Sequence, residues 1–285
     1  MPFTVAGAGE ILWDLFPTGR RPGGAPANFC YHARMLGAES FVVSRVGTDQ
    51  PGEELLERLA ELGLSSCYIS LDRVHPTGSV SVTLDSKGNP DYIIHENVAW
   101  DHIPFDEQTD GLAKSVDAVC FGTLAQRSPE SRESIRRFLK SVPESRLKVF
   151  DINLRMQYYS PELINDSLLL CNVLKVNSEE LSKIGSMFSL SGEPEETLSI
   201  LCEKYNLRLI ALTKGSEGSV LYTPEEILYH PGFKVDVCDT VGAGDAFTAA
   251  LTIGVLEGKP LAEINDFANT VASLVCHYNG ATATD

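Results

Sequence analysis

The chain has 285 residues, 43% of them apolar, with ordinary numbers of glycines (23) and prolines (15), so it can bury a large core as one or two globular domains and is not disordered, collagenous or coiled-coil. Its 39 acidic residues against 23 basic ones leave a formal net charge of −16, which argues against a nucleic-acid groove or an anionic membrane surface, since both require concentrated positive charge. Seven cysteines without a Cys-x-x-Cys pair, and six histidines without HxxxH or HExxH spacing, read as buried reduced thiols and isolated imidazoles rather than a disulfide framework or a protein-held zinc.

The first 16 residues are apolar but lack the basic start and small-residue cleavage pattern of a secretory signal, and Glu10 and Asp14 interrupt them, so they read as a strand. No stretch approaches the ~20 uncharged apolar residues that cross a bilayer, since the run from Ala246 stops at Glu257; a cytoplasmic protein with no membrane or nucleic-acid partner is expected. Short β-rich runs at Phe3–Gly7, Phe41–Gly47, Asp117–Gly122, Leu147–Asp151, Val173–Asn177 and Arg208–Thr213 alternate with helical patterns. This predicts an α/β fold with a mostly parallel central sheet flanked by helices. In Pro51–Gly63, Glu53 and Glu54 favour the first turn, Leu55, Leu56, Leu59 and Leu62 form an apolar face, and Gly63 fits the stop. Other helices are predicted to begin near Pro26, Ser128, Ser160, Asn177, Pro194, Gly242 and Pro260. The alternation breaks at Thr77–Leu84 and Asp91–Glu96, two strands of a hairpin joined by Asp85–Asn89. Val80, Val82 and Leu84 alternate with Ser79, Ser81 and Thr83, and a hairpin with one greasy face must cover something: a lid over the C-terminal ends of the parallel strands is expected. The predicted organisation is a single domain, 1–285, with a small β-rich lid from about 76–98 and a contribution from about 10–22.

The densest chemical signal is Asp239-Thr-Val-Gly-Ala-Gly-Asp-Ala-Phe247, ahead of an apolar helical run. Its glycines let the backbone turn closely, and the N–H groups of 242–245 converge at a helix start as an anion site. Asp245 either complements the helix dipole or accepts a proton from an alcohol whose oxygen then meets a phosphoryl group held by those donors; the two glycines and Asp239 favour the second. Asp14, after the first strand, is either a solvated loop carboxylate or a group that accepts from two adjacent sugar hydroxyls. In Pro22–Asn28, two glycines permit close backbone approach, Pro26 suits a helix start and Asn28 both donates and accepts; a plain turn before a helix is the alternative. Asn177 with Glu180 three residues later has capping-box spacing. Arg155 ends Asp151-Ile-Asn-Leu-Arg155 as a fixed cation or a surface residue, and Lys214, in Thr213-Lys-Gly215, is either near phosphate or solvated.

The segment Asp239–Phe247 resembles the C-terminal signature of the PfkB, or ribokinase-like, family of carbohydrate kinases; Gly23–Asn28 resembles its N-terminal sugar-binding segment, and Asn177–Glu180 its Asn-x-x-Glu element. The resemblance implies a ribokinase-like fold and ATP-dependent phosphorylation of a sugar hydroxyl. It makes Asp245 the catalytic base and Gly242, Ala243 and Gly244 the anion hole, and it sets Asp14, Gly24, Asn28 and Arg155 at the sugar. Asn177, Thr213, Lys214, Gly215 and Asn269 fall by resemblance at ATP, and Glu180 orders Mg²⁺ through water. A monovalent cation such as K⁺ would bind carbonyls of Asp239, Val241 and the Asn279–Thr282 turn. Dimeric relatives suggest a homodimer paired through the greasy face of the hairpin.

The runs GEILWDLFP, GGAPANF and DINLR look most like fructokinases, so D-fructose is the expected acceptor, with ribose, tagatose, nucleosides and ketodeoxygluconate as alternatives. Many fructokinases and ketodeoxygluconate kinases have a Tyr-Arg pair where this chain has Ile94-His95-Glu96-Asn97. A sugar acid would be repelled by Glu96 facing a closed pocket, which favours neutral sugars. Gly7-Ala-Gly9 prompts a dinucleotide-binding oxidoreductase as rival, but Leu12 and Phe247 stand where the fingerprint needs small residues, and no GxxxxGK[ST] occurs. A non-catalytic sugar-binding protein would be marked by loss of Asp245, which is present.

Overall fold

The computed structural model describes residues 2–84, 90–190, 192–278 and 280–282; the hairpin link Asp85–Asn89, and Asn279 in the C-terminal turn, lie outside them. The apolar start expected as one strand is two, β1 (Thr4–Ala8) and β2 (Leu12–Phe16), broken at Gly9, whose φ of 152° suits glycine. There follow β3 (Gly19–Gly23), α1 (Ala25–Met35), β4 (Glu39–Gly47), α2 (Gln50–Glu61), β5 (Ile69–Asp72), β6 (Ser79–Leu84) and β7 (Pro90–Ile94). The middle of the chain supplies α3 (Glu107–Ser115), β8 (Ala118–Phe121), α4 (Pro129–Ser141), β9 (Leu147–Asp151), α5 (Pro161–Leu168), β10 (Val173–Asn177), α6 (Ser178–Met187) and α7 (Pro194–Tyr205). The last third gives β11 (Leu209–Thr213), β12 (Ser219–Tyr222), β13 (Ile227–His230), α8 (Ala243–Leu256) and α9 (Leu261–Val275). The predicted helix starts fall within one residue of observed ones because they rest on local chemistry. At α2, for example, the Asp49 carboxylate accepts from Gly52 N–H at 3.0 Å.

Among the described residues, the main sheet runs β13-β12-β11-β10-β9-β8-β1-β4-β5. From β11 to β5 every pairing is parallel, while β12 and β13 close one edge antiparallel. Side chains alternate between two cores. Ala6, Val119, Phe150, Leu174 and Ile210 face α3–α7, whereas Val5, Cys120, Val149, Val173 and Ala211 face α1, α2, α8 and α9, so both faces are covered, as a parallel sheet requires. Helix α8 is apolar nearly all round and buried from Ala246 to Gly254, packed against α1 and α9.

A second sheet, in the order β3-β2-β6-β7, pairs β2 antiparallel to β3 and parallel to β6, and β6 antiparallel to β7. Residues 12–23 and 79–94 thus share one sheet. Val80 and Ile94, paired across β6 and β7, are buried in the core, while Tyr92 and Ile93 are exposed. Arg127 ties its base to the body: the guanidinium makes a double ion pair with Asp101, donates to His95 O at 2.6 Å and stacks over Trp100 and Tyr158.

Candidate active site

The strand order reverses at β1, which has β4 on one side and β8 on the other. Where such strands diverge at their C-terminal ends, an open α/β sheet offers a crevice. Glu10 after β1, Gly122 and Thr123 after β8, Asp151 and Asn153 at the end of β9, and Asp245 of α8 line that cleft.

Gly242 begins α8 with φ of 80°, and a Cβ there would collide with Ala281 Cα; the turn needs glycine both for its backbone and for its packing. Ala243 N–H closes the turn onto Thr240 O, and Ala246 N–H starts the helical ladder on Gly242 O. The N–H groups of Gly244 and Asp245 stand in the first turn, where no carbonyl precedes them. Asp245 Oδ2 accepts from Asn28 Nδ2 at 2.8 Å, joining α8 to α1 across 217 residues. Burial pushes the Asp245 carboxyl up to about 6 and Asp151 adds repulsion, against the Asn28 hydrogen bond and the charges of Lys175 and Arg155. A carboxyl shifted in this way can take up a proton close to neutral pH.

Beneath the turn lies an ion pair that sequence reasoning did not single out. Lys175 on β10 and Asp151 on β9 are register partners, both buried, with Nζ donating to Oδ1 at 3.1 Å. The other oxygen of Asp151 takes the Thr248 hydroxyl at 2.7 Å, and Gly244 sits so close over Lys175 that an added Cβ would be 3.1 Å from Nζ. Burial alone would favour neutral Lys175, but Asp151, Glu180 and Asp245 outweigh it and the ammonium pKa is raised.

Asp14 lies on β2, its carboxyl pushed up to about 6 by burial against the pull of Arg155. Gly23, on the neighbouring strand, leaves the space that the Asp14 carboxylate fills. Arg155 is exposed, yet its charge reaches Glu10, Asp14 and Asp245. Its segment bends through Asn153 and Met156, both with positive φ (48° and 47°); such backbone is uncommon for Met and concentrates at functional sites. Gly24 caps α1 with φ of 112°, where a Cβ would strike Glu10 O. Gly24→Ala is therefore expected to lose roughly 1–3 kcal/mol, read as a lower midpoint in urea unfolding; an unchanged midpoint would mean that the start of α1 yields freely.

Towards β10 and β11, Asn177 and Glu180 form the capping box: Asn177 Oδ1 accepts from Glu180 N–H and Glu180 Oε2 from Asn177 N–H, both at 2.9 Å. Glu180 Oε1 also accepts from Leu154 N–H at 3.0 Å, so this buried carboxylate joins the Arg155 segment to α6. Thr213, Lys214 and Gly215 lie at the C-terminal end of β11, on the same edge as Asp151 and Asn177. Asn269 is turned inward, donating to Ser219 Oγ (2.7 Å) and Asn265 O (2.7 Å), and pins α9 to β12. The Asp239 carboxylate accepts from Val241 N–H (3.1 Å) and Gly280 N–H (2.9 Å), tying the loop before α8 to the C-terminal turn. Glu96, exposed, accepts from the Tyr158 hydroxyl at 2.8 Å. Among the described residues, no group of three His, Cys, Asp or Glu side chains could hold a metal ion, and no helix is long and apolar enough to cross a membrane.

Residues 14–285 match the pfkB family of carbohydrate kinases. The chain is 30% identical to the sugar kinase PH1459 of Pyrococcus horikoshii, over 98% of this chain and 92% of that protein. The crystal structure of that uncharacterized sugar kinase superposes with a TM-score of 0.85 over 98% of this chain and 93% of its own, and it has also been solved with ATP. The fructokinase of Escherichia coli is 27% identical over 96% of this chain and 93% of its length. The fold is the ribokinase-like one, and the chain belongs to the pfkB family of carbohydrate kinases.

Proposed function

We propose that this sugar kinase is a fructokinase, transferring the γ-phosphoryl group of ATP to a hydroxyl of D-fructose with Asp245 as general base. The observation that carries the mechanism is the buried Asp245 carboxyl, held by Asn28 at a glycine-turned helix N-terminus. The acceptor hydroxyl gives its proton to Asp245 as its oxygen forms the new bond to phosphorus; the bond to the bridging oxygen breaks and ADP leaves. The N–H groups at the start of α8, above the Lys175 ammonium, suit the charge on the transferred group.

A neutral acceptor is supported by the charge of the cleft. Glu10 and Asp245 line it, and Arg155 is the cation whose charge reaches both of them and Asp14, an arrangement that repels a sugar carboxylate and offers acceptors to hydroxyls. Glu96, at the edge of the small sheet, adds a further negative charge. Similarity to the E. coli fructokinase favours fructose among the neutral sugars. The small sheet acts as a lid over this acceptor, and Asp14 and Gly24 with Asn28 hold it, while the β10–β11 edge receives ATP. Both oxygens of Glu180 accept from backbone N–H groups, so it fits a contact with the Mg²⁺ of Mg-ATP through water rather than as a direct ligand. A K⁺ bound through carbonyls near Asp239 and Val241 would brace the turn before α8.

The test is ADP release from Mg-ATP, with and without K⁺, against fructose, ribose, tagatose, ketodeoxygluconate and adenosine. Selective turnover of fructose is expected. Preference for another neutral member keeps the mechanism and replaces the sugar; preference for ketodeoxygluconate overturns the electrostatic argument.

A further inference from the structure

Glu10 has no part in the proposed proton transfer, yet it is 5% exposed and lines the cleft beside Asp245. It sits in the turn between β1 and β2, where the sheet reverses its order. The backbone N–H groups of Glu10 itself and of Ala25, the first residue of α1, lie near its carboxyl and favour its charged form. Helix α1 has no side-chain cap of its own, because Gly24 occupies the N-cap. One part of Glu10 is thus structural: its carboxyl lies near the start of that helix, where negative charge is favourable.

Among the described residues, Glu10 Oε2 is buried without a hydrogen-bond partner. A buried carboxyl oxygen left in that state is costly and rare in a folded protein, and where it occurs a ligand or an ordered water normally completes it. Burial pushes the group up to about 7 in spite of the nearby backbone N–H groups and Arg155, so near neutral pH it both donates and accepts, as a sugar hydroxyl does.

We propose that Glu10 is an acceptor-recognition residue, its free Oε2 hydrogen-bonding one hydroxyl of the sugar, distinct from the hydroxyl that Asp245 deprotonates; this rests on the sugar-kinase reading of the cleft. Asp14 on β2 and Glu10 in the turn before it then grip the sugar, while Asn28 and Asp245 hold the reacting end. The selectivity of the enzyme lies in which hydroxyl pattern satisfies both carboxyls.

The experiment compares kcat/KM for fructose and its monodeoxy analogues in the wild type and in Glu10→Gln, whose amide has the shape of the carboxyl. In the wild type, loss of the hydroxyl that meets Oε2 is expected to reduce kcat/KM roughly tenfold or more, the range of a hydrogen bond to a carboxyl. In Glu10→Gln the penalty at that one position should shrink to about threefold or less while the others persist. A uniform loss across all analogues, or an unchanged pattern, overturns the inference and leaves Glu10 a structural residue of the β1–β2 turn. If the wild type turns over another sugar, that sugar's deoxy series takes the place of fructose; if it turns over none, the kinase reading of the cleft falls with the inference. A sugar-bound crystal structure of the wild type gives a check independent of the variant's folding: a sugar oxygen within hydrogen-bond distance of Oε2 is expected, and a water or no partner there refutes the assignment.

Discussion

Asp245→Asn is expected to lower kcat by at least ~10²-fold, the contribution of a positioned general base, while leaving ATP binding in place and making the protein more stable. The two effects have one origin. Asn retains an oxygen to accept from Asn28 Nδ2 but cannot take a proton from an alcohol. It also removes a charge that the fold disfavours, since burial and Asp151 raise the carboxyl to about 6 from an ordinary 3.8. The native state therefore binds this proton more tightly than the unfolded chain does. The resulting penalty is absent below pH ~4, grows as pH rises through ~6, and is fully present at pH 7, amounting to at most about 3 kcal/mol. Asn should recover part of it, seen as a rise of a few degrees in the thermal midpoint at pH 7 that vanishes at pH 4. Wild-type kcat should fall about tenfold per pH unit below ~6, instead of below ~4 as for an ordinary aspartate. Near-normal turnover in the variant, or an acid limb near 4, would remove Asp245 from the base role. Retained stability with lost activity is the mark of a site held against the preference of the fold.

The sequence disclosed what depends on neighbours along the chain. The capping box at Asn177 and Glu180, the cap and apolar face of α2, the glycine turn ahead of α8 and the parallel strand runs all follow from spacing over a few residues, and the structure has them in place. The short elements were the ones missed. β5, β12 and β13 have four residues each, too few for a period, and α3 carries only Leu112 and Ala113 as buried apolar residues. The N-terminal run was read as one strand because its composition is continuous, and only the φ of Gly9 shows the break.

The cleft was half legible. Asp14, Asn28, Arg155 and Asp245 were identified one at a time from their local settings; in the structure Asn28 donates to Asp245, and the charge of Arg155 reaches both Asp14 and Asp245. Glu10 and Lys175 were not singled out, because each looks ordinary where it stands: a glutamate in a turn, and a lysine in the strand Val173–Asn177. Their importance is burial without or with a partner, and the partner of Lys175 is 24 residues away. The one usable signal was a lysine among apolar residues in a run expected to be central in a parallel sheet, where both faces are covered. Asn269 is the reverse case: a polar residue on a helix face whose amide is consumed inside the protein by Ser219 and Asn265.

Lys175→Met should be the most damaging single substitution to stability among the residues of the site, at about 3–5 kcal/mol, because it leaves the buried Asp151 carboxylate without its cation. Met approximates the length of the lysine stem, so the loss reports charge rather than volume. Activity carries a second signature. Lys175 is one of the charges that hold the Asp245 pKa down, so its removal should move the acid limb of kcat to higher pH. The double variant Lys175→Met with Asp151→Leu separates the two consequences. Removing both charges should restore much of the stability, as replacement of a buried pair by apolar groups often does. It should not restore the rate, because the cation beneath the α8 turn is still missing. A loss below ~1 kcal/mol in the single variant would place the pair in contact with water and deny it this role.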